Sequence, residues 1–255
     1  MKFLAIGDSC KDVFVYGKCE RICPEAPIPV FNPVKTKTNG GMAANVQANV
    51  QALDVDCDLI TQSNEILKTR YVDIKTNQML LRIDENDEAE DKFNFKNVTW
   101  GKYDAVLVSN YGKGFLRPCA IRDVCQYHDN VYLDSNKVNM NCDLPLNLKF
   151  LKINEYELEI NKHWKHHLHP DVHGSSEYNR PGQIIVTYGH KGCKYMGKMY
   201  APPERVVTQD LSGAGDTFLA ALAVSMTRVG DAETAIAFAN ECATQVVTKR
   251  GVATV

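Results

Sequence analysis

A glycine-rich stretch, DLSGAGDT at residues 210–217, is followed at once by the apolar run FLAALAVSM, which predicts a helix. The small residues at 213–215 allow the backbone to approach a ligand closely. A helix start presents unpaired N–H groups at the positive end of the helix dipole and is therefore an anion site. Asp216 and Thr217 fall in the first turn, so a carboxylate would lie inside this site, although an acidic residue there is more often only a cap.

The chemistry that this pattern favours is phosphoryl transfer to a hydroxyl group. Asp216 would be the base that accepts the hydroxyl proton. The amides of Gly213, Ala214 and Gly215 would bind the phosphoryl group as negative charge builds on it. Such transfer depends mainly on positioning and charge neutralisation. Magnesium would need a nearby acidic residue acting largely through water, and Glu157 suits that role.

Apolar patterns predict the strands and helices that would position these residues. Continuous apolar runs, typical of parallel strands buried on both faces, occur at 3–6, 105–109, 131–134, 150–153 and 183–187. Helical patterns with capping residues occur at 41–53, 117–128, 155–164, 216–229 and 232–249. We therefore expect an α/β fold with a doubly wound, mostly parallel sheet, helices on both faces and right-handed crossovers.

Polar or glycine residues follow each predicted strand. They are Gly7, Asp8 and Asp12, then NYGKG at 110–114, then Asp134 to Lys137, then Asn154 and Glu157, and finally Tyr188 with GHKG at 189–192. In open parallel sheets, ligands bind at the carboxyl ends of the strands. One such turn is weak evidence, but five together with an anion site favour a ligand site at this edge.

A second group of strand-like segments alternates polar and apolar residues and carries a hairpin signal around Thr76. Its segments are 12–17, 27–31 and 68–84. We expect a small separate sheet, formed by about 12–34 and 68–84, that lies over the pocket as a lid. The acidic run at 84–91 is expected to be a solvated loop.

Composition excludes several classes of protein. The 255 residues suit one α/β domain over 1–255, and 44% hydrophobic residues can form a sizeable core. The formal net charge of −2 predicts no nucleic acid and no anionic membrane as partner. No apolar run reaches the roughly 20 residues of a membrane span. The start, MKFLAIGDSC, is predicted to be a strand and not a signal peptide.

Cysteine and histidine usage predicts a cytoplasmic protein without a structural metal. Nine cysteines are scattered along the chain without a CxxC motif, which favours reduced thiols over disulfides or a zinc site. The run HWKHHLHPDVH places His163 and His167 on one helix face. Because Pro170 interrupts the run, a solvated helix end followed by a loop is preferred over a metal site.

Several motifs resemble the signatures of the ribokinase-type (PfkB) carbohydrate kinases. DLSGAGDTF resembles their C-terminal signature, and NGGMAANVQANVQAL resembles the N-terminal one, in which a Gly-Gly pair and an Asn hold the sugar. NEYE resembles their Asn-x-x-Glu motif, and TYGHKG resembles their Thr-x-Gly-x-x-Gly nucleotide loop. The resemblance covers nearly the whole chain, with the motifs in family order, and implies a ribokinase-like fold with a β-sheet lid.

One branch of that family is more similar still. RICPEAPIPV, KTRYVDIKTNQMLLRID, NYGKG, LDSNK and GVATV resemble the kinases of D-glycero-D-manno-heptose 7-phosphate, which act in lipopolysaccharide-precursor synthesis. A phosphorylated sugar needs cationic side chains to bind its phosphate, and the lid carries Lys68, Arg70 and Arg82. Lys113 matches a family lysine near the substrate, although it could be only a turn residue.

The resemblance implies a role for each matching residue. Asp216 would be the base, with Gly213, Ala214 and Gly215 as the anion hole. Sugar hydroxyls would contact Asp12, Gly40, Gly41 and Asn45. Asn154 and Glu157 would bind phosphate and magnesium. The nucleotide would be bound by Thr187, Gly189, Gly192 and Asn240. The implied cofactors are ATP and Mg²⁺, with K⁺ as a further candidate. Two plain alternatives stay open: Gly40-Gly41 as a helix start, and Asn240 as an ordinary polar helix position.

The chain departs from the family pattern in two places. LDVDCDLITQSNEILKTR crosses almost directly from the sugar-binding helix to the lid hairpin, where the family usually has a further strand–helix unit. Asn110 stands where the heptose branch usually has Asp. The related bifunctional enzymes also carry a nucleotidyltransferase domain, whose HxGH motif does not occur in this sequence.

Three functions remain open at this point. The first is ATP-dependent phosphorylation of the anomeric hydroxyl of a heptose 7-phosphate. The second is a kinase of another small sugar or nucleoside, such as ribose, fructose or adenosine. The third is a non-catalytic sugar- or nucleotide-binding relative, which the missing segment favours and the intact GAGD motif disfavours.

The small lid also predicts a homodimer. Its alternate apolar positions are Val13, Val15, Ile28, Val30, Val72, Ile74, Met79, Leu81 and Ile83. A small isolated sheet is marginal in water, so one face would close over the sugar and the other would pack on the same sheet of a second subunit. Lid-to-lid dimers are common among the kinases that the chain resembles.

Overall fold

The computed structural model of the chain describes residues 1–117, 120–135, 145, 147–160 and 183–255. Their strands are β1 (Lys2–Gly7), β2 (Ser9–Ile22), β3 (Pro29–Met42), β4 (Asp56–Ile60), β5 (Leu67–Asp73), β6 (Met79–Glu85), β7 (Ala105–Asn110), β8 (Val131–Ser135), β9 (Leu148–Asn154), β10 (Ile184–Thr187), β11 (Cys193–Tyr195) and β12 (Lys198–Tyr200). Their α-helices are α1 (Ala43–Ala52), α2 (Ala120–Tyr127), α3 (Glu155–Ile160), α4 (Ala214–Val229) and α5 (Ala232–Val246).

Eight strands form the main sheet, in the order β12-β11-β10-β9-β8-β7-β1-β4. In this sheet β4, β1, β7, β8, β9 and β10 pair in parallel, whereas β10 pairs antiparallel with β11, and β11 with β12. Alternate residues of β1 enter different cores: Phe3 and Ala5 pack with α1, α4 and α5, whereas Leu4 and Ile6 pack with α2 and α3. The predicted doubly wound α/β sheet with helices on both faces is therefore confirmed.

Strand β4 corrects the interpretation of the segment after α1. The sequence predicted a direct crossing to the lid, but Asp56–Ile60 pairs in parallel with β1 at the edge of the main sheet. Lys2 on β1 forms ion pairs with Asp56 at 3.1 Å and Asp58 at 2.9 Å across this pairing. Residues 61–66 then reach β5 without a helix. The strand of the unit thought to be missing is thus present, and its helix is not.

Several boundaries also differ from prediction, and at β3 the reason is strand pairing that extends further than the local pattern suggested. Strand β3 pairs with β2 from Pro29 to Met42, so the helix predicted from residue 41 begins at Ala43. Helix α4 begins at Ala214 and α5 ends at Val246. The β11–β12 hairpin was not predicted. Asn136, Lys137 and the histidine-rich run at 163–173 lie outside the described residues.

The second sheet has the order β3-β2-β5-β6 and is larger than the predicted lid. Its inner face packs on the rest of the molecule through Phe14, Tyr16 and Val72, which form a small core with Val252. On the outer face, Leu81 and Ile83 lie beside Tyr71 and Thr69, their β5 partners, and are more than one third exposed. We call this second sheet the lid.

Two expectations from composition can be compared with the described residues. Seven cysteines lie within them and all are free thiols. None of the helices in this part of the chain is both long enough and apolar enough to cross a membrane.

The helix α4 should dominate stability, because it is buried in the core between α1, α5 and the main sheet. Leu222→Ala is expected to lower the free energy of unfolding by about 2–5 kcal/mol, since Leu222 is 0% exposed. Urea denaturation without ligands measures this loss. The matched control is Leu211→Ala, at a residue 68% exposed, with an expected change within about 0.5 kcal/mol. Equal losses in the two variants would contradict this placement of α4.

Candidate active site

Asp216 lies in the first turn of α4 and is only 2% exposed. Its carboxylate accepts a hydrogen bond from Asn45 Nδ2 at 3.0 Å and one from the Tyr111 hydroxyl at 3.0 Å. Burial raises the pKa of Asp216 to about 7, although the hydrogen bond from Asn45 opposes this rise. A carboxyl group with this pKa can both accept and release a proton near neutral pH.

The start of α4 has the geometry that an anion hole requires. Gly213, the N-cap, has a left-handed φ of 83°, and a Cβ there would lie 2.6 Å from Asn45 Nδ2. The amide of Ala214 donates to the Leu211 carbonyl at 3.3 Å. In the described part of the chain, the amides of Gly213, Gly215 and Asp216 have no such acceptor. Donors therefore remain for an anion, although the Ala214 amide is partly used.

Asn45 is buried, and its side chain is held within the protein. Its Oδ1 accepts from Asn49 Nδ2 at 3.1 Å, and Asn49 Oδ1 accepts from the Thr217 hydroxyl at 3.0 Å. This chain of hydrogen bonds fixes α1 against α4. The Asn45 amide orients Asp216. The predicted contact between Asn45 and a sugar stays a prediction.

Strands β2 and β3 bring Asp12 and Gly41 into close approach. A Cβ at Gly41 would lie 2.0 Å from Asp12 Oδ2, so only glycine permits this approach. Gly40 and Gly41 lie in the last three residues of β3, and α1 begins at Ala43. Their contact with a sugar stays a prediction. Asp12 is buried and forms an ion pair with Arg70 of β5.

The four predicted cations lie on or beside the inner face of the lid, and each has a carboxylate partner. Lys68, whose pKa burial lowers, lies 3.9 Å from Asp87, and Lys113 contacts the other oxygen of Asp87. The guanidinium of Arg82 donates two hydrogen bonds of 2.7 Å to Asp84. Asp87 belongs to the acidic run that was expected to be solvated. The run instead supplies a counter-ion to the site.

The loop after β7 is organised by Asp8, which is completely buried. Its carboxylate accepts from the backbone amides of Tyr111 at 2.9 Å, Lys113 at 3.2 Å and Phe115 at 3.2 Å. Asn110 Oδ1 accepts from a further amide in the same loop, that of Gly112, at 3.0 Å. Tyr111 was not predicted as a site residue, because its contact with α4 depends on this loop and leaves no signal in the local pattern.

Asn154 and Glu157 cap the start of α3 reciprocally. Asn154 Oδ1 accepts from the Glu157 amide at 2.8 Å, and Glu157 Oε2 accepts from the Asn154 amide at 2.7 Å. Burial raises the pKa of Glu157, and the nearby carboxylate of Asp134 adds to this. Two neighbouring buried carboxylates suit a cation. No group of three or more metal-ligating residues occurs within the described ranges.

A cavity of about 560 Å³ reaches the start of α4 from the side of α5. Gly189, Asn240 and Ala214 line it, together with apolar residues such as Leu211 and Val247 that the sequence did not single out. Its size is within the usual range for small-molecule sites. It therefore connects two of the predicted nucleotide residues, Gly189 and Asn240, with Ala214 of the predicted anion hole.

Gly192 and Thr187, two further residues of the predicted nucleotide loop, do not line the cavity and form backbone contacts beside it. Gly192 has φ 88°, and a Cβ there would lie 2.1 Å from the Tyr200 carbonyl oxygen. Asn240 Nδ2 donates to the same oxygen at 3.0 Å and ties α5 to the β11–β12 hairpin. The Thr187 hydroxyl donates to the Ile153 carbonyl at 3.3 Å.

Substituting Asp216 should change how stability depends on pH. Because its pKa is about 7 in the folded protein against 3.8 ordinarily, its stabilising contribution is complete below pH 3.8 and is lost as the pH rises through 7. Asp216→Asn removes this loss. Relative to wild type, the variant should gain about 2–3 kcal/mol of unfolding free energy between pH 5 and pH 8.

Urea denaturation at both pH values measures this gain. Asp54→Asn is the matched control, since Asp54 is exposed and its φ of 58° suits asparagine. A difference between Asp216→Asn and wild type that does not vary with pH would show that Asp216 titrates like an exposed carboxyl group.

Comparisons with known proteins bear on the family of this chain. The model of the pfkB family of carbohydrate kinases matches residues 43–255. The bifunctional protein HldE of Helicobacter pylori is 28% identical over 294 aligned residues, which cover 98% of this chain and 63% of the relative. HldE of Bradyrhizobium diazoefficiens is 28% identical over 299 aligned residues, which cover 99% of this chain and 60% of the relative. The chain thus spans less than two thirds of the length of these curated relatives.

Solved structures show the same fold. Ribokinase from Thermotoga maritima has a TM-score of 0.67 at 18% identity, covering 99% of this chain and 94% of that chain. Arabidopsis thaliana ribokinase complexed with ribose and ATP has a TM-score of 0.64 at 17% identity, covering 98% and 93%. The fold is therefore ribokinase-like, and the family match over most of the sequence shows that this chain belongs to the PfkB family of carbohydrate kinases, phosphotransferases whose acceptor is a sugar hydroxyl.

Proposed function

We propose that this kinase transfers the γ-phosphoryl group of ATP to the anomeric hydroxyl of a heptose 7-phosphate, with Asp216 as the general base. One observation carries the proposal: the buried carboxylate of Asp216 lies in the first turn of α4, two residues after Ala214, which lines the cavity. The motifs that resemble heptose 7-phosphate kinases support the choice of sugar.

The described residues suggest how the transfer would proceed. The acceptor oxygen forms a bond to the γ-phosphorus while the bond between that phosphorus and the β–γ bridging oxygen breaks, which releases ADP. The hydroxyl proton passes to Asp216, whose orientation Asn45 and Tyr111 fix. The free amides of Gly213 and Gly215 bind the negative charge on the phosphoryl oxygens. Glu157 would help to hold Mg²⁺ through water, and the ion would neutralise further charge on the triphosphate.

A phosphate on the sugar would bind the lid cations by exchanging with their carboxylates. Lys68 and Lys113 share Asp87 as a counter-ion. A dianionic phosphate carries more charge and more acceptor oxygens than one carboxylate. It would therefore displace Asp87 and bind between the two ammonium groups.

The pairing of all four cations also supports a second candidate. Arg70, Arg82, Lys68 and Lys113 each have a carboxylate partner, so the site is already neutralised without an anionic sugar. A kinase of an uncharged sugar or of a nucleoside would not need to break these pairs.

A panel of acceptors separates these candidates. ATP and Mg²⁺ are supplied with heptose 7-phosphate, ribose, fructose or adenosine, and products are identified by mass spectrometry. We expect the highest kcat/KM with heptose 7-phosphate. Faster turnover of ribose, fructose or adenosine would favour the second candidate, and no transfer to any acceptor would contradict both.

Asp216→Asn should lower kcat by at least about 10²-fold with the preferred acceptor while leaving ATP affinity unchanged, because a positioned base supplies about that factor. In the wild type, kcat/KM should rise with pH and level off above about 7, since the base must be ionised. Steady-state kinetics over pH 5–9 measure both effects, with Asp54→Asn as the control. Turnover of Asp216→Asn within a few-fold of wild type would remove Asp216 as the base.

We also propose a cytoplasmic homodimer that forms through the outer face of the lid, where the partner helps to close each active site. Leu81, Ile83 and Met79 of β6 are exposed on this sheet, and the aromatic rings of Phe31 and Tyr71 pack edge to face with centroids 5.4 Å apart. An apolar face of this kind suits a self-complementary twofold contact.

Light scattering at micromolar concentration should give twice the chain mass of 28.5 kDa. Leu81→Glu should produce monomers, because it places a charge in the apolar contact. Val229→Glu, at a similarly exposed residue outside the lid, should remain dimeric. A wild-type mass near 28.5 kDa, unchanged by sugar and nucleotide, would contradict the dimer.

A further inference from the structure

Lys152 is a buried lysine that the mechanism above does not use. It lies on β9, two residues before Asn154, and is only 5% exposed. Its Nζ donates a hydrogen bond of 2.6 Å to Asp134 Oδ2 on the neighbouring strand β8. Since Asp134 is also buried, the two charges compensate each other within the protein.

The position of the ammonium group relative to α4 is unusual. A Cβ at Gly215 would lie 2.7 Å from Lys152 Nζ, so the cation lies against the second residue of the helix. A cation at this end of a helix is repelled by the helix dipole. An anion bound at the helix start would reverse that repulsion, because it would attract the ammonium and the free amides together. The position of the ammonium group is therefore unfavourable in the protein without a ligand and favourable once an anion is bound at the helix start.

The ammonium group also retains donor capacity. It carries three N–H groups, and its hydrogen bond to Asp134 is the one present among the described residues. Two N–H groups therefore remain for another acceptor. Gly215, whose amide also has no acceptor in the described chain, is its immediate neighbour.

We infer that Lys152 is a catalytic residue that donates hydrogen bonds to the transferred phosphoryl group, and that Asp134 is the positioning residue that fixes its ammonium. The inference rests on the proposed function. During transfer, the acceptor oxygen bonds to the γ-phosphorus, the bond to the β–γ bridging oxygen breaks and its electron pair leaves with ADP, while the proton passes to Asp216. Lys152 keeps its own protons and neutralises charge on the phosphoryl oxygens throughout.

A purely structural ion pair between β8 and β9 would have different consequences. Removing Lys152 alone would leave Asp134 buried without its partner, which destabilises a protein whatever the role of the lysine. The informative variant is therefore Asp134→Asn with Lys152→Met, which removes both charges and keeps similar side-chain volumes. Lys152→Gln is a second variant, because its amide can still donate to Asp134 without carrying charge.

The control is Lys149→Met on the same strand, since Lys149 is exposed. Thermal unfolding first shows that the variants fold. We expect kcat for the preferred acceptor to fall by at least about 10²-fold in both Lys152 variants. In both, the affinity for the ATP analogue AMP-PNP should fall about tenfold or more, as for loss of a charged hydrogen bond. The affinity for AMP, which has no γ-phosphoryl group, should stay unchanged.

Rates and AMP-PNP affinities equal to those of Lys149→Met would overturn the inference and leave Lys152 with a structural role. Equal losses of AMP and AMP-PNP affinity would also overturn it, because they would indicate general damage to the nucleotide site. If the wild type transfers phosphate to no acceptor, the proposed function fails. The comparison of AMP-PNP with AMP then still decides whether Lys152 contacts the terminal phosphoryl group.

Discussion

The hydrogen bonds that Asn45 and Tyr111 donate to Asp216 bring three separate parts of the chain to one carboxylate. A buried carboxyl group without donors would be held protonated, since burial alone favours the neutral form. The two donors offset part of that effect and keep the pKa of Asp216 near neutrality. Each donor needs its own support, which Asn49 supplies to Asn45 and Asp8 supplies to the loop that carries Tyr111.

The support that Asp8 gives to the Tyr111 loop depends in turn on β4, the strand at the edge of the main sheet. Asp8 follows β1 directly, and β1 is flanked on both sides, by β7 and β4. Without β4, β1 would be an edge strand with unpaired backbone groups. The chain therefore keeps this strand while it lacks a helix between β4 and the lid, and the strand that places Asp8 remains in the interior.

Charge compensation is the second organising feature. Beneath the lid, Lys68 and Lys113 share Asp87, while at the helix start Lys152 binds Asp134. Buried charges are tolerated only when they are paired, so each cation that a phosphate group would bind already has a carboxylate partner. At the lid cations, binding of the proposed sugar phosphate would be an exchange of anions, whereas Lys152 would keep Asp134 as its partner.

The sequence by itself determined the α/β class, most of the buried strands and the presence of Asp216 in the first turn of α4, because apolar periodicity, capping residues and short motifs are local signals. It could not show β4, the β11–β12 hairpin or the full length of β3, since these depend on pairing with distant strands. It also could not show that Tyr111, Lys152 and Asp87 contact the site. Only the tertiary structure decided those contacts, because a buried polar group selects its partner by distance and desolvation, and these follow from packing between elements far apart in the chain.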